Sequence, residues 1–170
     1  MRNLSPTVVA LLALSLSACI NFDPLPFAPA SPAASPDPSL DGPFPVGVRT
    51  VTFLDASRPK SDGTPRKLVT EIWYPATHDA RGQPGVDYDV RTLLTPEQQA
   101  AVAGGAFPLL HTSAVRDAEP SHRHGPYPLV VFSHGQGGMR WQSTYYTVKL
   151  ASHGYIVVSP DHEGDTLAEA

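Results

Sequence analysis

The segment Ser133–Gly138, which reads Ser-His-Gly-Gln-Gly-Gly, combines the residue types of this chain that are best suited to chemistry. Glycines allow a tight turn and let a substrate approach the main chain closely. Backbone N–H groups in such a loop can then point at the oxygen that becomes negatively charged in the tetrahedral intermediate of acyl transfer. The segment therefore predicts an oxyanion loop.

Two other uses of a glycine-rich segment are disfavoured by its spacing and by the charge of the chain. Phosphate-binding loops need Gly-x-Gly-x-x-Gly, or Gly-x-x-x-x-Gly-Lys followed by Ser or Thr, and neither pattern occurs at Gly135–Trp141. The formal net charge is −4, and no run of Lys or Arg supplies a basic field locally. We therefore expect no cofactor and no nucleic-acid partner.

Two buried strands are predicted to flank the loop. Pro128–Ser133 and Tyr155–Ser159 are short apolar runs with β-branched residues, which are typical of strands buried on both faces of a parallel sheet. The second run is followed by Pro160, Asp161 and His162. Because functional residues gather at the carboxyl ends of parallel strands, we expect Asp161 and His162 to form a strand-end turn that contacts the loop.

A helix is predicted between these strands, over Met139–Ser152, where Trp141, Tyr145 and Val148 recur on one helical face. His153-Gly154 should end this helix. Strand, glycine-rich loop, helix and strand together make a parallel βαβ unit.

The earlier part of the chain predicts an antiparallel strand pair, Val46–Leu54 and Lys67–Tyr74, joined by a turn-rich segment. An irregular stretch follows over Pro75–Pro126. A short helix interrupts it after Thr95, where a proline and a later glutamine complete a capping box. The predicted fold class is α/β, with the antiparallel pair and the βαβ unit in one domain over residues 46–170.

The N-terminal residues 1–18 predict a lipoprotein signal peptide. Arg2 is the positive residue, and the apolar run Thr7–Leu16 is too short to span a bilayer. Leu16–Cys19 resembles the bacterial lipobox, in which Cys19 would receive lipid and anchor the mature chain to the membrane. Ile20 lacks the Asp associated with inner-membrane retention, so the resemblance implies an exported protein sorted to the outer membrane. An ordinary secretory signal with a chance Cys is the alternative.

Residues 19–45 predict a linker. Eight prolines with Ala, Ser and Asp between them should form a semi-rigid spacer that holds the domain away from the membrane.

Several segments together resemble the α/β-hydrolases related to platelet-activating-factor acetylhydrolase and dienelactone hydrolase. The segments are Pro45–Thr50, Glu71–Ala76, Arg116–Ala118, Phe132–Gly138, Leu150–Val158 and Pro160–His162. The resemblance covers Pro45 to about Thr166 and implies the N-terminal half of an α/β-hydrolase sheet. It also implies a serine ester hydrolase whose substrate is a lipid or a short acyl ester.

Residue roles follow from this resemblance. The backbone N–H of Gln136 would donate to the oxyanion, while His134, Gly135 and Gly137 would shape the loop. No Gly-x-Ser-x-Gly occurs in the 170 residues, so the nucleophilic Ser and the Asp and His of the triad are expected outside them. Alone, the chain should not hydrolyse esters by the family mechanism, and its strand at 129–132 should present an uncovered apolar edge.

Two alternatives remain open. One is a non-catalytic, lipid-anchored binding or structural protein that keeps the hydrolase scaffold. The other is a metal-dependent hydrolase, since His122 and His124 together with Asp161-His162 faintly resemble a hydrolytic metal site. The spacing departs from that motif, and we expect no metal.

Overall fold

The computed structural model describes residues 37–103 and 105–170. The predicted signal peptide, Cys19 and most of the predicted linker lie outside these described residues.

The described residues form one larger sheet, a separate strand pair and two α-helices. The strands are β1 (Val46–Asp55), β2 (Arg66–Pro75), β3 (Asp87–Tyr88), β4 (Leu110–His111), β5 (Val115–Arg116), β6 (Leu129–Val131) and β7 (Ile156–Pro160), and the helices are α1 (Pro96–Ala101) and α2 (Thr144–Ser152). The larger sheet has the order β5-β1-β2-β7-β6, and β3 pairs with β4. No helix among these residues has the length and apolar character needed to cross a bilayer.

The predicted antiparallel pair is confirmed. Strands β1 and β2 are hydrogen-bonded along their whole lengths, from Val46 opposite Pro75 to Asp55 opposite Arg66. The connecting turn begins with Asp55, whose carboxylate accepts from the backbone N–H of Ser57 at 2.9 Å. This local bond favours a turn over continued strand pairing.

The predicted parallel βαβ unit is also confirmed. Strand β6 pairs in parallel with β7, from Leu129 opposite Ile156 to Val131 opposite Val158, and α2 connects them. On its other side β7 pairs antiparallel with β2. The last strand therefore joins the hairpin to β6.

The core is built around one row of apolar side chains across the sheet. Val48, Trp73, Val157 and Val130 occupy paired positions on four neighbouring strands, and the first three are fully buried. Tyr88 and Trp141 pack against this row from the β3–β4 pair and from the segment before α2.

The predicted helix over Met139–Ser152 is wrong at its N-terminal end. Helix α2 begins only at Thr144, because Ser143 has non-helical backbone angles and the segment before it forms turns, with Gln142 N–H bonded to the Met139 carbonyl. The predicted helical face is wrong for the same reason, since Trp141 precedes the helix. Tyr145 is 79% exposed, and the buried face carries Thr144, Thr147, Val148 and Ala151 at helical spacing.

Burial on both faces of the strand at Pro128–Ser133 is also contradicted. Strand β6 lies at the edge of the sheet among the described residues, and only the face carrying Val130 and Phe132 packs against the core. Leu129 is 62% exposed and Val131 is 66% exposed. The expected uncovered apolar edge is therefore present.

The stretch Pro75–Pro126 contains more regular structure than predicted. The capping box of α1 is confirmed, with the side chains of Thr95 and Gln98 each bonded to the other's backbone N–H. In addition, β3 and β4 form a small antiparallel pair, and β5 extends the larger sheet by pairing in parallel with β1.

The last residues of the predicted linker are attached to the domain. Gly42 donates its N–H to Ser152 Oγ at 2.9 Å, and Phe44 donates its N–H to the Ser152 carbonyl at 3.1 Å. Residues 42–44 therefore pack at the C-terminal end of α2 instead of serving as spacer.

Candidate active site

The glycine-rich loop lies immediately after β6. Its turn is closed by a hydrogen bond of 3.0 Å from Gly138 N–H to the Gly135 carbonyl. Gly137 has a φ of +61°, a left-handed conformation in which a side chain would be strained. The predicted tight turn is thus present, and Gly137 is required for it.

The N–H groups of this loop differ in whether they are already bonded. Gly135 N–H donates to Gln142 Oε1 at 3.3 Å, and Gly137 N–H donates to Asp165 Oδ1 at 3.0 Å. Between them, the N–H of Gln136 has no hydrogen-bond partner among the described residues. Gln136 is an exposed residue, and its N–H is not engaged by the described part of the chain.

His134 attaches the beginning of the loop to the end of β7. Its imidazole is buried, and its Nε2 accepts the backbone N–H of His162 at 3.1 Å. Because Nε2 is an acceptor, the proton must reside on Nδ1, which lies 2.8 Å from the Gly135 carbonyl and donates to it. The two histidine rings stack with their centroids 4.0 Å apart. The predicted contact between the strand-end turn and the loop is confirmed.

Ser133 makes a contact that sequence reasoning missed. Its hydroxyl does not bond to His134, as expected. Instead, Ser133 Oγ lies 3.2 Å from His162 Nε2. Each residue lies two positions beyond the end of one of two neighbouring parallel strands, which is the signal that could have predicted the pair.

Asp161 attaches the other end of the loop. Its Oδ1 accepts the backbone N–H of Arg140 at 2.7 Å, and its Oδ2 accepts from Nη1 of the same residue at 2.5 Å. Ser159 Oγ donates to the Arg140 carbonyl at 2.8 Å. The residues at the end of β7 therefore hold both the main chain and the guanidinium of Arg140.

A cluster of charged side chains, called the buried charge cluster because Glu71 at its centre is fully buried, lies beneath this end of the loop. It comprises Glu71, Arg116, Arg140 and Asp161, of which Arg116 is partly exposed. Glu71 is fully buried, and its carboxylate accepts from Arg116 Nη1 at 2.8 Å. The hydroxyls of Thr50 and Tyr88 donate to the same carboxylate at 2.7 and 2.9 Å. Arg140 Nε lies 3.8 Å from Glu71 Oε2, beyond hydrogen-bond range but close enough for strong attraction.

Burial and charge in this cluster shift the pKa values of Tyr88 and Arg116. Burial, reinforced by the Glu71 carboxylate, raises the pKa of Tyr88 well above its ordinary value, so its phenol stays a hydrogen-bond donor. Burial alone would lower the pKa of Arg116, but the Glu71 carboxylate outweighs it and the net pKa is raised. Both shifts keep Tyr88 and Arg116 protonated, so that each can donate a hydrogen bond to the Glu71 carboxylate.

A cavity of about 500 Å³, lined mainly by apolar atoms, lies next to the segment that follows the loop. It lies between β4 and α2, and Trp141 and Gln142 form part of its wall. Since Gln142 also bonds to Gly135, the cavity wall and the loop are directly connected.

The described residues contain no cluster of three or more His, Cys, Asp or Glu side chains arranged to hold a metal ion. Of the three histidines considered for such a site, His124 packs edge-on against Phe44 with ring centroids 5.6 Å apart. His162 is instead engaged with Ser133 and His134.

A mixed sheet in which a His-Gly loop follows a parallel strand and lies beside the next strand's end defines an α/β-hydrolase fold. The solved structure of a ferulic acid esterase from Streptomyces cinnamoneus is similar, with a TM-score of 0.54 and 31% identity over 79% of this chain and 35% of that chain.

The family model for platelet-activating factor acetylhydrolase, isoform II, matches residues 34–169, and the chain belongs to this family. The platelet-activating factor acetylhydrolase of Cavia porcellus is 28% identical over 77% of this chain, and that of Canis lupus familiaris is 29% identical over 79%. The chain spans 30% of the length of each of these relatives.

Proposed function

We propose that the chain supplies the oxyanion loop of a serine carboxylic-ester hydrolase that acts on lipid or short acyl esters. The observation that carries the proposal is the N–H of Gln136, which no described residue accepts, while the N–H groups on either side of it are occupied. Membership of a family of ester hydrolases supports the same reaction class.

In the proposed reaction a serine hydroxyl adds to the ester carbonyl carbon, and the carbonyl oxygen takes the electron pair of the broken π bond. The Gln136 N–H donates to that oxygen as it becomes negative. The base that takes the serine proton returns it to the leaving alkoxide as the intermediate collapses, so that an alcohol departs and an acyl-enzyme remains, which water hydrolyses. The nucleophile and its partners lie outside residues 1–170, because no Gly-x-Ser-x-Gly occurs within them.

The first experiment reads the coding DNA beyond the codon for Ala170. A Gly-x-Ser-x-Gly followed by Asp and His would support the ester hydrolase. A stop codon with no such motif in any frame would instead favour the alternative, a non-catalytic lipoprotein with a hydrolase-like scaffold. The 170-residue chain itself should show no ester hydrolysis above the background rate.

The role of Gln136 is tested in a protein that also contains the nucleophile. Gln136→Pro removes the N–H and should lower kcat on the order of 100- to 1000-fold, as loss of one oxyanion donor does elsewhere. Gln136→Leu keeps the N–H and should change kcat only about threefold or less. Equal losses in the two variants would contradict a backbone role.

The Ser133–His162 contact provides a control in the same assay. It has the form of a nucleophile and base, so Ser133→Ala should abolish turnover if that pair performs the chemistry. We expect Ser133→Ala to retain activity, because the proposed nucleophile belongs to a different motif.

We further propose that the chain is anchored to the outer membrane through lipidated Cys19. Cys19→Ser should move the protein from the membrane fraction to the soluble fraction, since the acyl chains that hold it would not be attached. Unchanged fractionation would contradict the anchor, and a Ser17→Thr variant provides a control for substitution within the same segment.

A further inference from the structure

An oxyanion donor is effective only if it is held in place before the charge develops. The loop that carries Gln136 is attached at several points to the residues that follow β7, including a bond from Gly137 N–H to Asp165 and one from Leu167 N–H to the Gly138 carbonyl, and its two ends are held as follows. His134 is bonded to the backbone of His162 at one end, and Arg140 is bonded to Asp161 at the other. Gln136 lies between these attachments, so its position depends on both.

The attachment at Arg140 is a double one. A single carboxylate accepts both the main-chain N–H and the guanidinium of the same residue. Hydrogen bonds to charged groups are shorter and stronger than neutral ones, and two of them fix the orientation of the residue as well as its distance. Asp161 therefore restrains the backbone where the loop leaves the site.

The guanidinium is prevented from turning away by its surroundings. The Arg140 side chain is only 12% exposed, and its guanidinium carbon lies 4.5 Å from the centroid of the Trp141 ring. Glu71 attracts it from below, and Glu71 is itself fixed by Arg116, Tyr88 and Thr50. The buried charge cluster contains two carboxylates and two guanidinium groups, so its formal charges balance.

We infer that Asp161 is a positioning residue for the oxyanion loop and acts through Arg140. This inference rests on the proposed role of Gln136 and adds the group that sets its geometry. Asp161 touches neither substrate nor oxyanion. Glu71 contributes by holding the Arg140 guanidinium within reach of Asp161.

The test uses the 15N-labelled 170-residue chain and needs no catalytic activity. In Asp161→Ala, the Arg140 and Gly138 amides should exchange with solvent about 10- to 100-fold faster, the range expected for losing a hydrogen bond to a charged group. The order parameter of the Gln136 amide should fall from about 0.85 to below about 0.6. Exchange at Val157 and Trp73, in the core row, should not change.

Asp161→Asn is the second variant, and it keeps the fold accessible to measurement if the alanine variant does not fold. Its amide oxygen can still accept the Arg140 N–H, but its NH₂ group cannot pair with the guanidinium. We expect intermediate protection at Arg140 and an intermediate order parameter at Gln136. This graded rescue would not arise from a general loss of stability.

Asp89→Asn is the matched control. Asp89 accepts both the backbone N–H of Arg91, at 3.0 Å, and its Nη2, at 2.6 Å, but no loop of the site depends on that pair. The control should leave Gly138, Gln136 and Arg140 unchanged.

The inference would be overturned by an unchanged Gln136 order parameter in both Asp161 variants, or by faster exchange spread evenly over the core row. Failure of the proposed function can be distinguished from failure of this inference. If no Gly-x-Ser-x-Gly follows Ala170, the proposed function fails, but these exchange measurements are unaffected. In a protein that does contain the nucleophile, Asp161→Asn should lower kcat and leave KM within about twofold.

Discussion

Two strand pairs of the larger sheet, β1–β2 and β6–β7, differ in how they are held together. Strands β1 and β2 are paired over ten residues each, whereas β6 and β7 are paired at only three positions. The candidate site is nevertheless built on the short pair, at the ends of β6 and β7. Side chains position the residues of the site. His134, Asp161 and the buried charge cluster supply restraints that the three paired positions of β6 and β7 do not.

The largest effect is expected in the long pair. Trp73 is fully buried in the centre of the core row, so Trp73→Ala should reduce the free energy of unfolding by about 3–5 kcal/mol. Denaturant unfolding followed by circular dichroism measures this. Phe53, on the partner strand, is 49% exposed, and Phe53→Ala should cost less than about 1 kcal/mol. Similar losses in the two variants would contradict a stability concentrated in the core row.

A different kind of effect is expected at the short pair. Leu129 and Val131 present exposed apolar side chains beside an unpaired strand edge, so Val131→Lys should reduce self-association of the chain. The free energy of unfolding should change by less than about 0.5 kcal/mol. Sedimentation velocity measures the association.

Val130→Lys is the control for this prediction. Val130 points to the opposite face and packs against the core, so the same substitution there should destabilise the fold. If Val131→Lys left association unchanged, the edge of β6 would not be the surface that associates.

The smallest effect concerns the turn that ends β1. Hydrogen bonds from Ser57 and then Arg58 lower the pKa of Asp55 from 3.8 to about 2. A depressed folded-state pKa stabilises the fold above pH 4, and this contribution is lost as the pH falls from about 4 to 2. The stability difference between wild type and Asp55→Asn should therefore shrink over that window. A difference that stays constant would contradict a contribution from the Asp55 charge.

Much of the fold could be predicted because its signals are local. Alternating apolar residues and turn formers indicated β1 and β2, and two apolar runs around a glycine-rich loop indicated β6, α2 and β7. The loop itself was recognisable from His134 and its glycines, since a tight turn places strict demands on residue type.

The parts that sequence reasoning missed depend on distant partners. Strand β5 consists of Val115 and Arg116 alone, which is too short to show a period, and it forms by pairing with β1. Helix α2 starts late because the segment before it folds into turns, and Arg140 in that segment is bonded to Asp161 after β7.

The buried charge cluster was missed for the same reason, although one signal was present. In a strand, alternate residues share a face, so Glu71 had to lie on the same buried face as Trp73. That pattern predicts a buried carboxylate, but it does not say which cations neutralise it. Arg116 and Arg140 reach Glu71 only after three separate segments have come together.

The position of β7 between β2 and β6 also determines the order in which the sheet can assemble. The early hairpin and β6 share no strand pairing, and each acquires its neighbour only when β7 enters between them, with Thr70 opposite Pro160 and Leu129 opposite Ile156. Pairing Thr70 with Pro160 closes a long loop, whereas pairing β6 with β7 needs only the local crossover through α2. The βαβ unit should therefore form as a local nucleus and then dock onto the hairpin, so that the bonds from the oxyanion loop to Asp161 and His162 form before the sheet closes.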